Sequence, residues 1–263
     1  MSTEAPARWD AVTYHAVSNP HVAWGSRVLA RLSLSGDETV LDAGCGTGRL
    51  TALLAERLPR GRVVALDRDE NMLADAREHL APFGDRVSFV QASLLELPSA
   101  LKVDAIFSTA TLHWETDHET LFTELARVLR PGGRLVAQCG GGANLVRVTR
   151  RLDAVLAEPA FARFFAGVEL PWLYADPGST RDRLEQAGFV DVTAGLELAP
   201  TRFETEGEFR IFLEQVVLGQ RLAPLTDLVL RQQVIDRLVA TASQDTPPFE
   251  LDYVRLNLSG RRA

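Results

Sequence analysis

Val40-Leu41-Asp42-Ala43-Gly44-Cys45-Gly46-Thr47-Gly48 is an apolar run that ends in an acid and is followed by three glycines at alternate positions. The pattern predicts a strand closing at the acid, a glycine turn, and a helix opening at Arg49-Leu50-Thr51-Ala52-Leu53-Leu54-Ala55. Glycines at such a turn let backbone pass close to a ligand, because no Cβ intervenes. The N–H groups at the helix terminus favour a polar or anionic ligand. Spacing narrows the choice. A dinucleotide loop reads G-x-G-x-x-G, but here Gly48 comes one residue early and Arg49 holds the place of the third glycine. A phosphate-cradling loop needs a lysine directly after its last glycine. The single lysine of this chain is Lys102, which follows Leu101. What remains is D-x-G-x-G-x-G.

A second apolar run, Arg62-Val63-Val64-Ala65-Leu66-Asp67, also ends in an acid, 19 residues after Gly48. An acid at the end of a second strand can accept hydrogen bonds from ribose hydroxyls, a geometry shared by nucleotide-binding α/β folds. Asn71-Met72-Leu73 then opens a helix. The two strings together resemble the class I S-adenosylmethionine (SAM)-dependent methyltransferases. The first is similar to their motif I. Asp67-Arg68-Asp69-Glu70-Asn71-Met72-Leu73 is similar to their D-x-S-x-x-M-L pattern. The resemblance implies SAM as cofactor, with Asp42, Gly44, Gly46 and Gly48 around it, Asp67 on the ribose, and Arg68 and Met72 near the adenine.

Three further segments extend the resemblance. Val90-Gln91-Ala92-Ser93-Leu94-Leu95-Glu96-Leu97-Pro98 aligns with the family's third strand end, where an acid usually binds the adenine amino group. Here Ser93 replaces that acid, and a hydroxyl is a weaker acceptor than a carboxylate. The backbone N–H of Leu94 is a further adenine candidate. An alternative for Ser93 is a purely local cap. Phe107-Ser108-Thr109-Ala110-Thr111-Leu112-His113-Trp114 resembles the S-N-A-x-L-H-W segment of small-molecule methyltransferases such as the trans-aconitate 2-methyltransferase group, with Thr109 in place of the usual Asn. It is not the N-P-P-Y motif of enzymes that methylate base amino groups. His113 is the one candidate for chemistry. It reads either as a general base, since its unperturbed pKa is near neutral, or as a residue that shapes the pocket. Glu124 to Leu135, with Arg130-Pro131-Gly132-Gly133 at its centre, is similar to the family segment before the fifth strand and marks the fold only.

Composition sets the class. The 263 residues carry a net charge of −7, which argues against a nucleic-acid-binding surface, usually a basic patch. Arg147, Arg150 and Arg151 form the densest basic cluster and read as a solvated face. No run approaches the ~20 apolar residues that span a bilayer. Cys45 and Cys139 lie far apart in apolar contexts, which suits free thiols in a reducing cytoplasm. Arginine almost completely replaces lysine, as in GC-rich bacterial genomes. His113, Glu115, Asp117 and His118 match no common metal-ligand spacing, so no metal is expected.

Strand patterns at 38–42, 62–67, 87–91, 103–108 and 133–139 alternate with helical patterns at 49–58, 70–80 and 118–129. Such alternation predicts an α/β fold, a doubly wound and mostly parallel sheet. The resemblance implies seven strands in a Rossmann-like arrangement, with 190–198 and 252–259 as the last two. The whole chain, 1–263, is expected to form one methyltransferase domain. Residues 1–35 would be a helical lid, from which Tyr14 could touch the cofactor, and 143–173 and 205–242 helical cap insertions. The function expected is methyl transfer from SAM to a small molecule, most simply to a carboxylate or hydroxyl oxygen. Two alternatives are a SAM-binding regulator without turnover and a nucleic-acid methyltransferase.

Overall fold

The structure, a computed structural model, describes residues 19–263. The described chain divides into two compact units. The first comprises 19–142, 172–197 and 255–263, and the second 143–171 and 198–254. The segments expected as insertions fall largely in the second unit.

The first unit is built on a seven-stranded sheet. In chain order its strands are β1 (Thr39–Ala43), β2 (Arg62–Asp67), β3 (Val87–Gln91), β4 (Val103–Thr109), β5 (Leu129–Gly140), β6 (Phe189–Leu198) and β9 (Val254–Arg262). They lie in the order β3-β2-β1-β4-β5-β9-β6. The pairs β1–β2, β1–β4, β2–β3 and β4–β5 are parallel, and β9 runs antiparallel to β5. Chain order reverses at β1, which has β2 on one side and β4 on the other. Ligands of open α/β sheets bind at such a switch point, outside the carboxyl ends of the strands.

Central parallel strands are apolar throughout because helices cover both faces. Val40, Leu41 and Ala43 of β1 and Val63 and Ala65 of β2 are fully buried. One face packs against α1 (Asn19–Arg31), α2 (Arg49–Glu56) and α3 (Glu70–Leu80), through Val28, Leu29, Leu54, Leu73 and Ala76. The other packs against α4 (His118–Val128) and α7 (Pro177–Gln186), through Leu121, Phe122, Leu125 and Leu184. Asp69 caps α3 by accepting the Asn71 N–H at 2.8 Å, and Asp117 caps α4 by accepting the Thr120 N–H at 3.0 Å. Such caps satisfy donors that the first helical turn leaves open.

The second unit holds α5 (Val146–Leu156), α6 (Pro159–Phe165), α8 (Glu206–Phe212), α9 (Leu228–Ala242) and a short antiparallel pair, β7 (Thr201–Arg202) with β8 (Glu250–Leu251). The helical segment expected over 143–173 is broken at Pro159, which opens α6. Proline is welcome in a first helical turn but not in a helix interior. The expected helix over 205–242 is also divided. It runs through α8 into a π-helical turn, Leu213–Val217, and resumes only at α9. Arg147 and Arg151, expected on a solvated face, are partly buried and paired. Arg151 grips Asp245 through two hydrogen bonds, of 2.8 and 2.7 Å, and Arg147 donates to the Glu250 carbonyl at 3.0 Å. Among the described residues no helix is long and apolar enough to cross a membrane.

Candidate functional site

The glycine loop leaves β1 and folds back over the end of β2. The N–H groups of Gly44 and Cys45 both donate to the Leu66 carbonyl, at 2.8 and 2.9 Å. Gly44 and Gly46 have φ of +84° and +53°, a region that side chains disfavour. Their surroundings differ. A Cβ at Gly44 would lie 2.2 Å from the Thr111 side chain, whereas one at Gly46 would meet nothing within 4 Å. Gly44 is therefore bare so that the β4 loop can approach, and Gly46 presents bare backbone to open space.

Asp67, at the end of β2, is tied into this loop. Its Oδ2 accepts the Gly46 N–H at 2.9 Å and its Oδ1 accepts the Asp69 N–H at 3.0 Å. Burial pushes its carboxyl above the usual range, against the pull of these two donors. Asp42 sits deeper. Only 2% exposed, it accepts the Thr51 hydroxyl at 2.6 Å and so clasps the end of β1 to the first turn of α2. Burial, with the nearby Asp67 charge adding to it, pushes the Asp42 carboxyl up to about 7 despite the Thr51 donor.

The strand-β4 end completes the rim. Ser108 donates its buried hydroxyl to the Ala43 carbonyl at 2.7 Å, locking β4 to β1. Ala110 takes a left-handed φ of +55°, and its N–H donates to the Gln138 carbonyl at 2.8 Å. Non-glycine residues held this way cluster at functional sites. Thr111 then turns its hydroxyl onto the Thr109 carbonyl at 2.9 Å and the Gly44 carbonyl at 3.3 Å.

His113 is buried at 7% exposure on the short 3-10 turn Leu112–Trp114. Its Nδ1 accepts the Gly140 N–H at 3.4 Å, which assigns the ring proton to Nε2. Its carbonyl accepts the Leu173 N–H at 2.8 Å, so the 172–174 segment lies against it. There the rings of Trp114 and Tyr174 stand 4.9 and 5.6 Å from the imidazole, and Trp172 packs edge-on to Trp114 at 5.9 Å.

The remaining sequence candidates spread around this loop. Arg68 is half exposed, with Nη1 3.8 Å from Glu115, a carboxylate whose own buried setting pushes its pKa up. Met72 and Leu94 are buried. The Ser93 hydroxyl accepts the Leu95 N–H at 3.1 Å, the local turn that a cap makes. Tyr14 lies outside the described residues. Sequence reasoning missed Thr51, Ala110, Thr111 and the Arg68–Glu115 pair. It also missed Trp172 and Tyr174, which the chain brings to His113 from far along its length. The alternate small and hydroxyl residues of 108–111 were the available signal for the β4 loop.

Residues 40–133 match the methyltransferase domain family. Over 130 residues the chain is 42% identical to trans-aconitate 2-methyltransferase of Azoarcus sp. (strain BH72), a match covering 49% of this chain and 50% of that protein. The chain thus spans about half the length of the curated relatives first matched. The trans-aconitate 2-methyltransferase of Variovorax paradoxus (strain S110) matches further: 33% identity over 191 residues, 71% of this chain and 67% of that protein. The chain belongs to the class I SAM-dependent methyltransferase family. A methyltransferase of known structure, phosphoethanolamine N-methyltransferase 2 of Haemonchus contortus in complex with phosphomonomethylethanolamine and S-adenosylhomocysteine, shares the fold. Its TM-score is 0.61 at 19% identity, covering 96% of this chain and 56% of that one. The methyltransferase family thus accounts for the switch-point position of the glycine loop and for the acid at the end of β2.

Proposed function

We propose that this protein binds SAM and transfers its methyl group to an oxygen of a small carboxylate. The observation that carries the reading is Asp67. One backbone N–H fixes each of its oxygens, and each oxygen keeps a further lone pair for a ribose hydroxyl. The bare backbone of Gly46 beside it offers close approach to the same ligand. This donor set fits the cofactor, with Asp42, Gly44 and Gly48 shaping the loop, Arg68, Met72, Ser93 and Leu94 toward the adenine, and Thr109 toward the amino acid part. Tyr14 would add a contact from the leading segment.

When bound, SAM supplies a strongly electrophilic methyl group, the hard part of the chemistry. The chain's own residues need only hold the acceptor in line, which is catalysis by proximity and orientation. A carboxylate is already a nucleophile at neutral pH and needs no base. His113, with its proton on Nε2, suits a donor that orients such an acceptor between Trp114 and Tyr174. The names of the relatives support a carboxylate rather than an amine. We assign acceptor selectivity to segments 143–173 and 205–242 and a lid role to 1–35, all within one methyltransferase domain. The setting expected is a bacterial cytoplasm.

Calorimetric titration with SAM and S-adenosylhomocysteine tests the cofactor half. Wild-type protein binds both, and neither NAD nor ATP. Asp67→Ala loses hydrogen bonds to a charged group, worth about 1.5–3 kcal/mol each, so SAM affinity falls roughly tenfold or more. Folded wild-type protein that binds no SAM at millimolar concentration overturns the reading. Affinity unchanged within twofold in the variant moves the ribose elsewhere.

A further inference from the structure

His118 opens α4, yet its side chain turns back onto the β4 loop. The residue is 3% exposed, and its Nε2 stands 3.1 Å from the carbonyl of Leu112, the first residue of the turn that carries His113. A carbonyl only accepts, so this bond assigns the ring proton to Nε2. Nδ1 is then an acceptor, enclosed and without a hydrogen-bond partner among the described residues. Burial holds the ring pKa below its ordinary value. The Arg183 charge on α7 acts in the same sense, while the Leu112 and Glu115 carbonyls and Asp117 pull the other way. At neutral pH the ring is therefore neutral, with one nitrogen in use.

Stability does not explain this side chain. The Leu112 carbonyl already accepts the Glu115 N–H at 3.2 Å and would not be orphaned without His118. A buried acceptor with no donor, Nδ1, costs free energy. A leucine could fill the same space beside the Phe122 ring, 5.5 Å away, with no polar atom to satisfy. What the imidazole adds is a fixed link. Helix α4 is anchored by its Asp117 cap and by Leu121, Phe122 and Leu125 in the core. From that anchor the link runs through Nε2 to the Leu112 carbonyl, and the next residue is His113. The other end of the turn is held by Ala110, at a φ of +55°, and by the Thr111 hydroxyl on the Gly44 and Thr109 carbonyls. Between these two anchors the His113 Nδ1 meets the Gly140 N–H at 3.4 Å, a long bond that a small shift of the turn would break.

We propose that His118 is the positioning residue of the acceptor site: its Nε2–H holds the Leu112 carbonyl, so that the His113 ring keeps Nδ1 on Gly140 and presents Nε2–H to the acceptor. This rests on the reading of His113 as the orienting donor. His118 itself acts only through His113.

Full-length protein with its five histidines isotopically labelled at the ring nitrogens is compared by nuclear magnetic resonance at about pH 8, where an ordinary imidazole is neutral. The His113 signals are the pair that His113→Gln removes. Wild type shows the His113 proton on Nε2. In His118→Leu the Gly140 bond is lost and the proton is shared between Nδ1 and Nε2, since the bond at one ring nitrogen sets the proton at the other. His118→Gln, whose amide N–H can reach the same carbonyl, restores the wild-type signals. The leucine variant melts within about 4 °C of wild type, and calorimetry gives it a SAM affinity within about twofold. Unchanged His113 signals in His118→Leu overturn the proposal. So does a shared proton already present in wild type, or one that His118→Gln fails to restore, which makes the ring a packing element. A SAM affinity about tenfold lower in His118→Leu also overturns it, because the residue then supports the whole rim. The expected signals in protein that methylates no carboxylate leave the link from His118 to His113 standing and remove only the acceptor reading.

Discussion

At the scale of single residues, two acids at neighbouring strand ends have different work. Asp67 faces the loop and is half-buried, while Asp42 is sealed beneath it and bonded to Thr51. The sequence shows both as acids ending apolar runs, and only burial separates them. Asp42 gives a pH signature. Its folded pKa of about 7 stands above the value of about 3.9 for a free aspartate. Between those values the folded state keeps a proton that the unfolded chain has lost. Stability therefore falls as pH rises from about 4 to about 7, by at most ~1.4 kcal/mol per pH unit, and levels off above. Asp42→Asn cannot titrate, and its amide oxygen still accepts the Thr51 hydroxyl. Urea melts across this window are expected to show the wild-type slope reduced by that one group in the variant. Equal slopes in both proteins would mean that Asp42 is ionised in the folded state. His113 gives a kinetic signature. As an orienting donor, its replacement in His113→Gln mainly raises the acceptor KM. As a general base, its loss would cost about two to four decades of kcat at saturating acceptor.

At the scale of elements, the glycine loop and the β4 loop are one construction. Gly44 is bare because Thr111 occupies the space a Cβ would need, and Thr111 in turn bonds to the Gly44 carbonyl. The motif shows that Gly44 matters but not that its partner is a threonine 67 residues further on. Gly44→Ala and Gly46→Ala separate the two reasons for glycine. Each takes the left-handed penalty of roughly 1–2 kcal/mol. Gly44→Ala adds a clash with Thr111, and overpacking of that kind costs about 1–3 kcal/mol more. Denaturant unfolding of the ligand-free proteins is expected to rank Gly44→Ala well below Gly46→Ala, and equal losses would refute this account of the turn. The first five expected strands were legible because short apolar runs alternate with amphipathic helices at short spacing. The helices of the second unit were less so. There Leu218, Leu222 and Leu225 are buried in irregular backbone, and their spacing imitates a helix.

For the whole molecule, strand order explains why the readable part of the site was readable. The loops proposed to hold the cofactor come from β1, β2 and β4, neighbours at the switch point, each with its residues in one short string. The residues we propose to face the acceptor are assembled differently. Trp172 and Tyr174 reach His113 only because the chain returns to the sheet after its excursion through 143–171. No local pattern records such a return. The central claim is methyl transfer to a carboxylate oxygen, and methyl-labelled SAM tests it most directly. The protein is incubated with labelled SAM and a panel of small di- and tricarboxylates, and the product is then treated with mild alkali. The account predicts acceptor-dependent label that alkali releases as methanol, as a methyl ester requires. Label that survives alkali, or no transfer to any carboxylate by folded protein that binds SAM, would contradict it.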